Sequence, residues 1–318
     1  VRQVRALERA GCEIVRLAVP DRRAAAVFET VRARVSVPLI ADIHFNKQLA
    51  LLALDAGAHG IRVNPGNLGG DAAFREVLGA ARDAGACIRI GVNAGSLPQD
   101  LVDRHGGPAP RALVDAAQRY ARIAEDAGFG NYKVSHKASD VAATIDACRL
   151  FAAHSRAPLH IGITEAGGAF AGGVRSAAGL GVLLAGGIGD TLRVSLAAPP
   201  VREVRAAWLI LGALGLRHRG ALVVACPMCG RAGADIAPVV RRVEHHAQYV
   251  RAPIRIAIMG CPVNGPGEAR EAHVGAALGK ASASIFKKGQ IIKKVPKDRL
   301  VPELLQHIDD IVREMENP

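Results

Sequence analysis

Aromatic side chains are scarce in this chain: they make up 3% of its 318 residues, although half of the residues are hydrophobic. So few aromatics exclude a stacking platform for single-stranded nucleic acid, and no basic run interleaves with those present. No apolar run is long enough to span a membrane. Walker and GxGxxG phosphate-binding motifs are absent, as is the CxxxCxxC spacing of radical enzymes. Six cysteines in a chain of this size do not make a disulfide framework and point to a reducing, cytoplasmic setting. Cys12, Cys87 and Cys148 lie in apolar or helical contexts and read as buried small hydrophobes.

What is abundant is Ala, Gly, Val, Leu and Ile, a mix suited to close helix–strand packing in an α/β protein. Strand-like runs recur at 12–19, 38–45, 60–64, 87–93, 131–137, 159–165 and 190–196. Helical patterns fill 2–10, 21–34, 46–57, 71–84, 111–128, 139–153, 173–186 and 201–215. Strand–helix alternation demands parallel strands with crossover helices. Seven strands, a helix after each and one helix before the first fall one strand short of a (β/α)8 TIM-type barrel. The expectation is that the barrel's first strand precedes Val1, leaving a gap between segments 12–19 and 190–196.

The pattern changes near Leu216–Gly220, which divides the chain into a barrel, residues 1–217, and a smaller α+β unit, residues 218–318. The second unit reads as a strand (221–225), a helix (236–250), a strand (254–259), a hairpin (273–295) and a terminal helix (299–316).

Net charge is +12, which suits a phosphorylated ligand, a nucleic acid or an acidic partner. The position of the charges separates these. The expected strand ends carry Arg16; Asp42 and His44; Arg62 and Asn64; Arg89 and Asn93; Lys133, Ser135 and Lys137; Thr164 and Glu165; Arg193 and Ser195. Functional residues of parallel barrels gather at those ends. Four arginines and a lysine in one mouth repel one another without an anion, and the planar guanidinium fork suits phosphate oxygens. Asp42 could equally neutralise a neighbouring arginine, and His44 ranks below it. Glu165, in ITEAGG, stands before glycines that expose it, a placement suited to acid/base work. PGNLGG (65–70) and EAGG (165–168) are glycine-rich turns that could offer backbone N–H groups to phosphate.

The other chemistry-bearing set is Cys226 and Cys229 in CPMCGR, Cys261 in GCPVNGPGE, and Glu268 at the end of that turn. Both turns follow apolar strands. A lone CxxC more often holds structural zinc, which would need a fourth Cys or His. His245 and His246 fall mid-helix, and His273 lies beyond Glu268. Three thiolates and a weaker oxygen ligand suit an iron–sulfur centre with one exchangeable iron.

These motifs, in order with IVRLAVPD, ADIHF, IRVNPGN, RIGVNAGSL, YKVSHKASD, GITEAGG and DTLRVSLA, closely resemble the 4-hydroxy-3-methylbut-2-en-1-yl diphosphate synthases of the methylerythritol phosphate route to isoprenoids. The resemblance runs over the whole chain. It implies a barrel joined to a domain like those of sulfite and nitrite reductases, with a 4Fe-4S cluster held by Cys226, Cys229, Cys261 and Glu268. It implies reductive opening of 2-C-methyl-D-erythritol 2,4-cyclodiphosphate with electrons from flavodoxin or ferredoxin. The substrate site would comprise Arg16, Asp42, Arg62, Asn64, Arg89, Asn93, Lys137, Arg193 and Ser195, with Glu165 as proton donor or orienting group and Glu268 yielding its iron to substrate. Members are homodimers in which each cluster domain caps the partner's barrel, and they lie in the cytoplasm or, in plants, the plastid stroma. Three departures stand out: the family's QSMTNT-like first strand is absent, Pro199 replaces a frequent Asp, and Met228 replaces Thr or Ser. Two other readings remain at this point: a different barrel reductase with an iron–sulfur domain, and a basic zinc-stabilised nucleic-acid-binding protein.

Overall fold

The computed structural model describes residues 1–107, 109–226, 229–230, 232–261, 267 and 269–316. The chain divides into two compact units, Val1–Leu214 and Gly215–Pro318.

In the first unit, strands β1 (Val15–Ala18), β2 (Leu39–Asp42), β3 (Gly60–Val63), β4 (Cys87–Asn93) and β5 (Tyr132–Lys137) pair in chain order, all parallel. An isolated bridge, Val134 to Leu159, leads on to the parallel pair β6 (His160–Ile161) and β7 (Thr191–Leu192). Around them run α1 (Arg2–Ala10), α2 (Arg22–Arg32), α3 (Lys47–Asp55), α4 (Asp71–Asp83), α5 (Gln99–His105), α6 (Pro110–Asp126), α7 (Val141–His154), α8 (Ala169–Ala185) and α9 (Pro200–Ala213). Sequential parallel neighbours with a helix in each crossover are the winding of a TIM-type barrel. Among the described residues no ladder links β7 to β1. The helical layer is nevertheless continuous there: α9 packs on α1, and the Trp208 indole donates to the Gly11 carbonyl at 3.1 Å.

Local chemistry explains the elements. Every residue of β2 and β3 is buried, as expected of parallel strands covered on both faces. Asp21, Asn46 and Asp140 cap α2, α3 and α7 by accepting backbone N–H groups at 2.7–2.8 Å. The core between strands and helices consists of Ile61, Ile88, Ile90, Leu78 and Ala117 with Phe28, Phe74 and Phe151, all essentially inaccessible. Small alanines on the helices let them approach the sheet closely, so few aromatics are needed.

Four details differ from the sequence expectation. Strands β6 and β7 are two residues each, because beyond them the backbone bonds elsewhere: Leu196 N–H goes to Glu203, and Ala197 N–H to the Gly167 carbonyl. Helix α5 occupies a stretch to which the sequence pattern assigns no element, and it is closed by Gly106 in the left-handed conformation. Cys12 and Cys87 are only half-buried, and Cys148 alone of the three is fully buried. Cys12 follows the turn that ends α1 and gives its thiol to the Ile14 carbonyl, while Cys87 lies against Gly60.

The fourth difference is in the second unit, where the expected hairpin is a meander of three strands. Its sheet order is β12-β11-β10-β9-β8, with β8 (Leu222–Ala225), β9 (Arg255–Met259), β10 (Val274–Leu278), β11 (Ser282–Lys287) and β12 (Gln290–Pro296). β8, β9 and β10 are parallel; β11 and β12 return antiparallel. The tight turn between β11 and β12 uses Lys288 and Gly289, both at positive φ (50° and 78°), as a two-residue hairpin of primed type requires. One core joins Ile256, Ile258 and Val274 to Val243 of α10 (Ala237–Ala247) and to Leu300, Leu304 and Ile308 of α11 (Lys297–Glu316). A smaller cluster holds Ala257, Met259, Ala277 and Phe286, with Cys226 packed against it.

On β5, His136 is fully buried, its ring 4.8 Å from that of Phe151, and neither ring nitrogen has a partner among the described residues. Burial lowers its pKa from 6.5 to about 4. The unfolded chain therefore takes up a proton first as pH falls, so stability present above about 6.5 is lost between 6.5 and 4. Replacing His136 by Leu should raise stability by about 1–3 kcal/mol, the cost of burying unpaired polar atoms, and flatten this acid limb. Urea unfolding at pH 7.5 and pH 5 checks both; an equally steep acid limb in the variant would show that other groups set it.

Candidate active site

Register brings the charged residues of the barrel together. Asp42 stands opposite Arg62, Arg62 opposite Arg89, and Arg89 opposite Lys133, so four adjacent strands place charge at one level. Further along, Asn93 stands opposite Lys137. Alternation puts Arg89, Gly91 and Asn93 on one face of β4 and Ile88, Ile90 and Val92 on the other. The apolar set is wholly buried in the core.

Two carboxylates serve this cluster. Asp42, 7% exposed, receives Arg16 Nε at 3.2 Å and Arg62 Nη1 at 3.5 Å, with exposed His44 at 3.7 Å. Glu203 of α9 receives Arg193 through Nε at 3.3 Å and Nη2 at 3.2 Å. Arg89 is 6% exposed, and its Nε has no partner among the described residues. Lys137, half-buried at the end of β5, has no carboxylate partner among them either. Burial first, then Arg16 and Arg62, lowers the Arg89 pKa to about 9 against the opposing pull of Asp42. Lys137 is held well below its ordinary value by burial and by Arg89, Arg16, Arg193 and Arg62. The five cations thus share one field, two of them without a bonded carboxylate.

The remaining sequence-predicted residues surround this group. Asn64 is buried, and its Nδ2 donates to Ser96 at 2.6 Å. Asn93 and Ser195 are half-buried. Glu165 is exposed and adopts φ 52°, left-handed for a non-glycine residue. Four contributors escaped the sequence reading. Glu203 lies in the first turn of α9, away from the strand ends. His160 shares the alternation phase of Gly162 and Thr164, which could have revealed it. Its Nδ1 pairs with Thr191 Oγ1 at 2.9 Å, and burial with Arg89 and Lys137 keeps its ring well below its ordinary pKa. Ser96 lies in the turn after β4. Gly91 matters for what it lacks: a Cβ there would stand 2.7 Å from Arg62 Nε.

In the second unit, the cysteine-bearing turns leave adjacent parallel strands β8 and β9. The Cys226 N–H continues the ladder to Ile258 at 3.2 Å, and Cys226 Sγ accepts the Gly260 N–H at 3.0 Å, directly before Cys261. Gly233 N–H closes on the Gly260 carbonyl at 2.7 Å. Cys229 is exposed and Cys261 half-buried; none of the cysteines is in a disulfide. Glu268 lies outside the described residues, and among those described no three Cys, His, Asp or Glu side chains close to metal-binding range. The histidines that would complete a zinc site are engaged elsewhere: His246 with Asp309 at 2.7 Å, His273 Nδ1 with the Arg255 N–H at 2.9 Å, and His245 against the Tyr249 ring. A sulfur accepting a backbone N–H, in a set of soft donors without imidazole, fits a thiolate-held iron–sulfur group.

Fold and site define a parallel-barrel protein with a cation-lined mouth and a second unit with thiol-bearing turns at its strand ends. Residues 1–208 match the GcpE TIM-barrel domain and residues 222–310 the GcpE protein C-terminal domain; the chain belongs to the GcpE family. It is 50% identical over 308 residues to the 4-hydroxy-3-methylbut-2-en-1-yl diphosphate synthase (flavodoxin) of Thermodesulfovibrio yellowstonii, covering 97% of this chain and 88% of that protein. To the synthase of the same name from Nitratidesulfovibrio vulgaris it is 52% identical over 295 residues, covering 93% and 76%. For that of Geobacter sulfurreducens the figures are 48% over 312 residues, 98% and 88%. No helix among the described residues is long and apolar enough to cross a membrane.

Gly91→Ala should displace the Arg62 guanidinium from Asp42 while leaving the core intact. Inorganic pyrophosphate, as anion probe, should bind roughly tenfold more weakly, the loss of about one charge-assisted hydrogen bond. Calorimetric titration checks this, and unchanged affinity would place Arg62 outside the anion site.

Proposed function

We infer that this chain catalyses reductive ring opening of 2-C-methyl-D-erythritol 2,4-cyclodiphosphate to 4-hydroxy-3-methylbut-2-enyl diphosphate. Family membership supports the reaction. The observation that carries the substrate is the cation cluster of Arg16, Arg62, Arg89, Lys137 and Arg193, in which Arg89 and Lys137 have no bonded carboxylate among the described residues. A cyclic diphosphate supplies the missing negative charge, and arginine forks bind its oxygens. Asn64, steadied by Ser96, joins Asn93 and Ser195 in contacting the rest of the ligand. Asp42 keeps Arg16 and Arg62 in place, and Glu165 donates or orients a proton. Written for fully protonated phosphates, the reaction takes up two electrons and two protons, opens the ring and releases the C3 hydroxyl as water.

Cys226, Cys229 and Cys261, with Glu268 as the exchangeable ligand, would hold a 4Fe-4S cluster that supplies the electrons one at a time. Flavodoxin, the carrier in the relatives' names, is the donor, with ferredoxin as the other carrier of suitable chemistry. The protein works in the cytoplasm, where thiolates stay reduced. As in the family, it acts as a homodimer whose cluster units cap the partners' barrels; an active monomer by light scattering would overturn that.

Anaerobic turnover of the cyclic diphosphate with a chemical reductant tests the function directly, and no product from iron-loaded protein would overturn it. Arg89→Met should raise KM by the equivalent of about 1.5–3 kcal/mol, the worth of a hydrogen bond to a charged group.

Replacing Cys226, Cys229 or Cys261 by Ser should abolish iron retention. Glu268→Ala should keep most iron yet lower kcat, because it alters only the exchangeable position. Iron analysis after anaerobic purification decides it: full iron in Cys261→Ser, or zinc in colourless wild-type protein, rules the cluster assignment out.

A further inference from the structure

The turn after β7 is anchored from α9. Glu203 takes Arg193 through Nε at 3.3 Å and Nη2 at 3.2 Å, and its Oε1 also accepts the Leu196 N–H at 2.9 Å. These two anchors flank Ser195. The next residue, Ala197, donates its N–H to the Gly167 carbonyl at 2.9 Å, tying the turn to the segment that holds Glu165 at φ 52°. Space is tight on both sides. A Cβ on Gly172 would stand 2.8 Å from both the Gly167 carbonyl oxygen and Leu196 Cδ2, and one on Gly162 would stand 2.6 Å from the Arg193 carbonyl oxygen. The Glu203 side chain is 14% exposed, whereas that of Arg193 is 40% exposed and keeps part of its fork accessible. Among the described residues, Glu203 engages two of the five guanidinium N–H donors of Arg193.

We propose that Glu203 is a positioning residue of the anion site: it aims Arg193, fixes the backbone around Ser195 and, through Ala197 and Gly167, steadies the turn that carries Glu165. Its ligand rests on the diphosphate reading above; the clamp itself does not. Only a carboxylate can receive both prongs of the fork and a backbone N–H together. Glutamine keeps one acceptor oxygen and turns an N–H toward the guanidinium, so Glu203→Gln can preserve the Leu196 bond and the Nη2 contact on the same oxygen while cutting the Nε contact and the ion pair. Glu203→Ala removes both.

The test has two arms. In ligand-free protein, the Arg193 Nε–H is followed by ¹⁵N NMR, assigned by its loss in Arg193→Lys. Its exchange with solvent should be roughly tenfold slower in the wild type than in Glu203→Gln, as expected when its hydrogen bond is lost. In turnover of the cyclic diphosphate, Glu203→Gln should raise KM roughly tenfold, a coupling within the usual range for directly bonded pairs. It should add nothing to Arg193→Met in the double variant, whereas Glu203→Ala should also lower kcat. Unchanged Nε–H exchange, or additive effects of Glu203→Gln and Arg193→Met, would overturn the proposal. Wild-type protein that fails to turn over the cyclic diphosphate would overturn the functional reading instead, and the exchange arm would then decide the clamp alone.

Discussion

Mutual repulsion among cations in the barrel mouth is the constraint to which the rest of the site answers. A pair of like charges about 6 Å apart costs roughly 3 kcal/mol at an effective dielectric of about 20, and here Arg16, Arg62, Arg89, Arg193 and Lys137 all act on one another. Asp42 and Glu203 offset three of the five by direct ion pairs. Arg89 and Lys137 are left to the field, and both have weakened hold on their protons. Burial first, and then the same field, lowers the pKa of His160 beside them, since a further positive charge there would add to the repulsion.

The barrel can hold such a group because its small residues stand where large ones would collide. Gly60 faces Cys87, Gly91 makes room for Arg62, and Gly162 admits the backbone of Arg193. Arg62 therefore lies over a glycine of the neighbouring strand, and the Lys137 ammonium lies close to Gly162. The apolar side of the same strands carries the fold: Ile88, Ile90 and Val92 bury completely against the helices. Alternation thus separates stability from binding at single-residue spacing. The shortage of aromatics costs this design little, because the interior is polar and the outer core is filled by aliphatic side chains.

Much of this was legible in the chain. Arg62 and Asn64, Arg89 and Asn93, and Lys133 and Lys137 are each spaced by an even number, which marks one face of a strand. What escaped was non-local. Glu203 reads as an ordinary helical glutamate, and only the tertiary fold brings it to Arg193 and Leu196. The early end of β6 and β7 has the same origin, since side-chain and turn bonds take the N–H groups that a longer ladder would have used. Helix α5 is short, and only its closing Gly106 announces it. The β11–β12 turn hangs on Lys288 and Gly289, and a Lys-Gly pair is a weaker signal than Asn-Gly. The thiol turns were readable from spacing, whereas the bond from Gly260 N–H to Cys226 Sγ depends on β8 and β9 being neighbours.

Charge crowding also links binding to stability. For Lys137, whose folded-state pKa is lowered, the unfolded chain holds its proton more tightly. At every pH below its ordinary value of 10.5 that difference opposes folding, and it fades as pH rises toward that value. Arg89 acts in the same direction. An anion in the mouth reverses the sign: it favours the charged forms of both side chains in the folded state alone. Such a ligand stabilises the barrel by its own binding free energy, through mass action. The repulsion that costs the barrel stability is therefore the same interaction an anion would relieve, and removing a cation would strengthen the fold while weakening the proposed site.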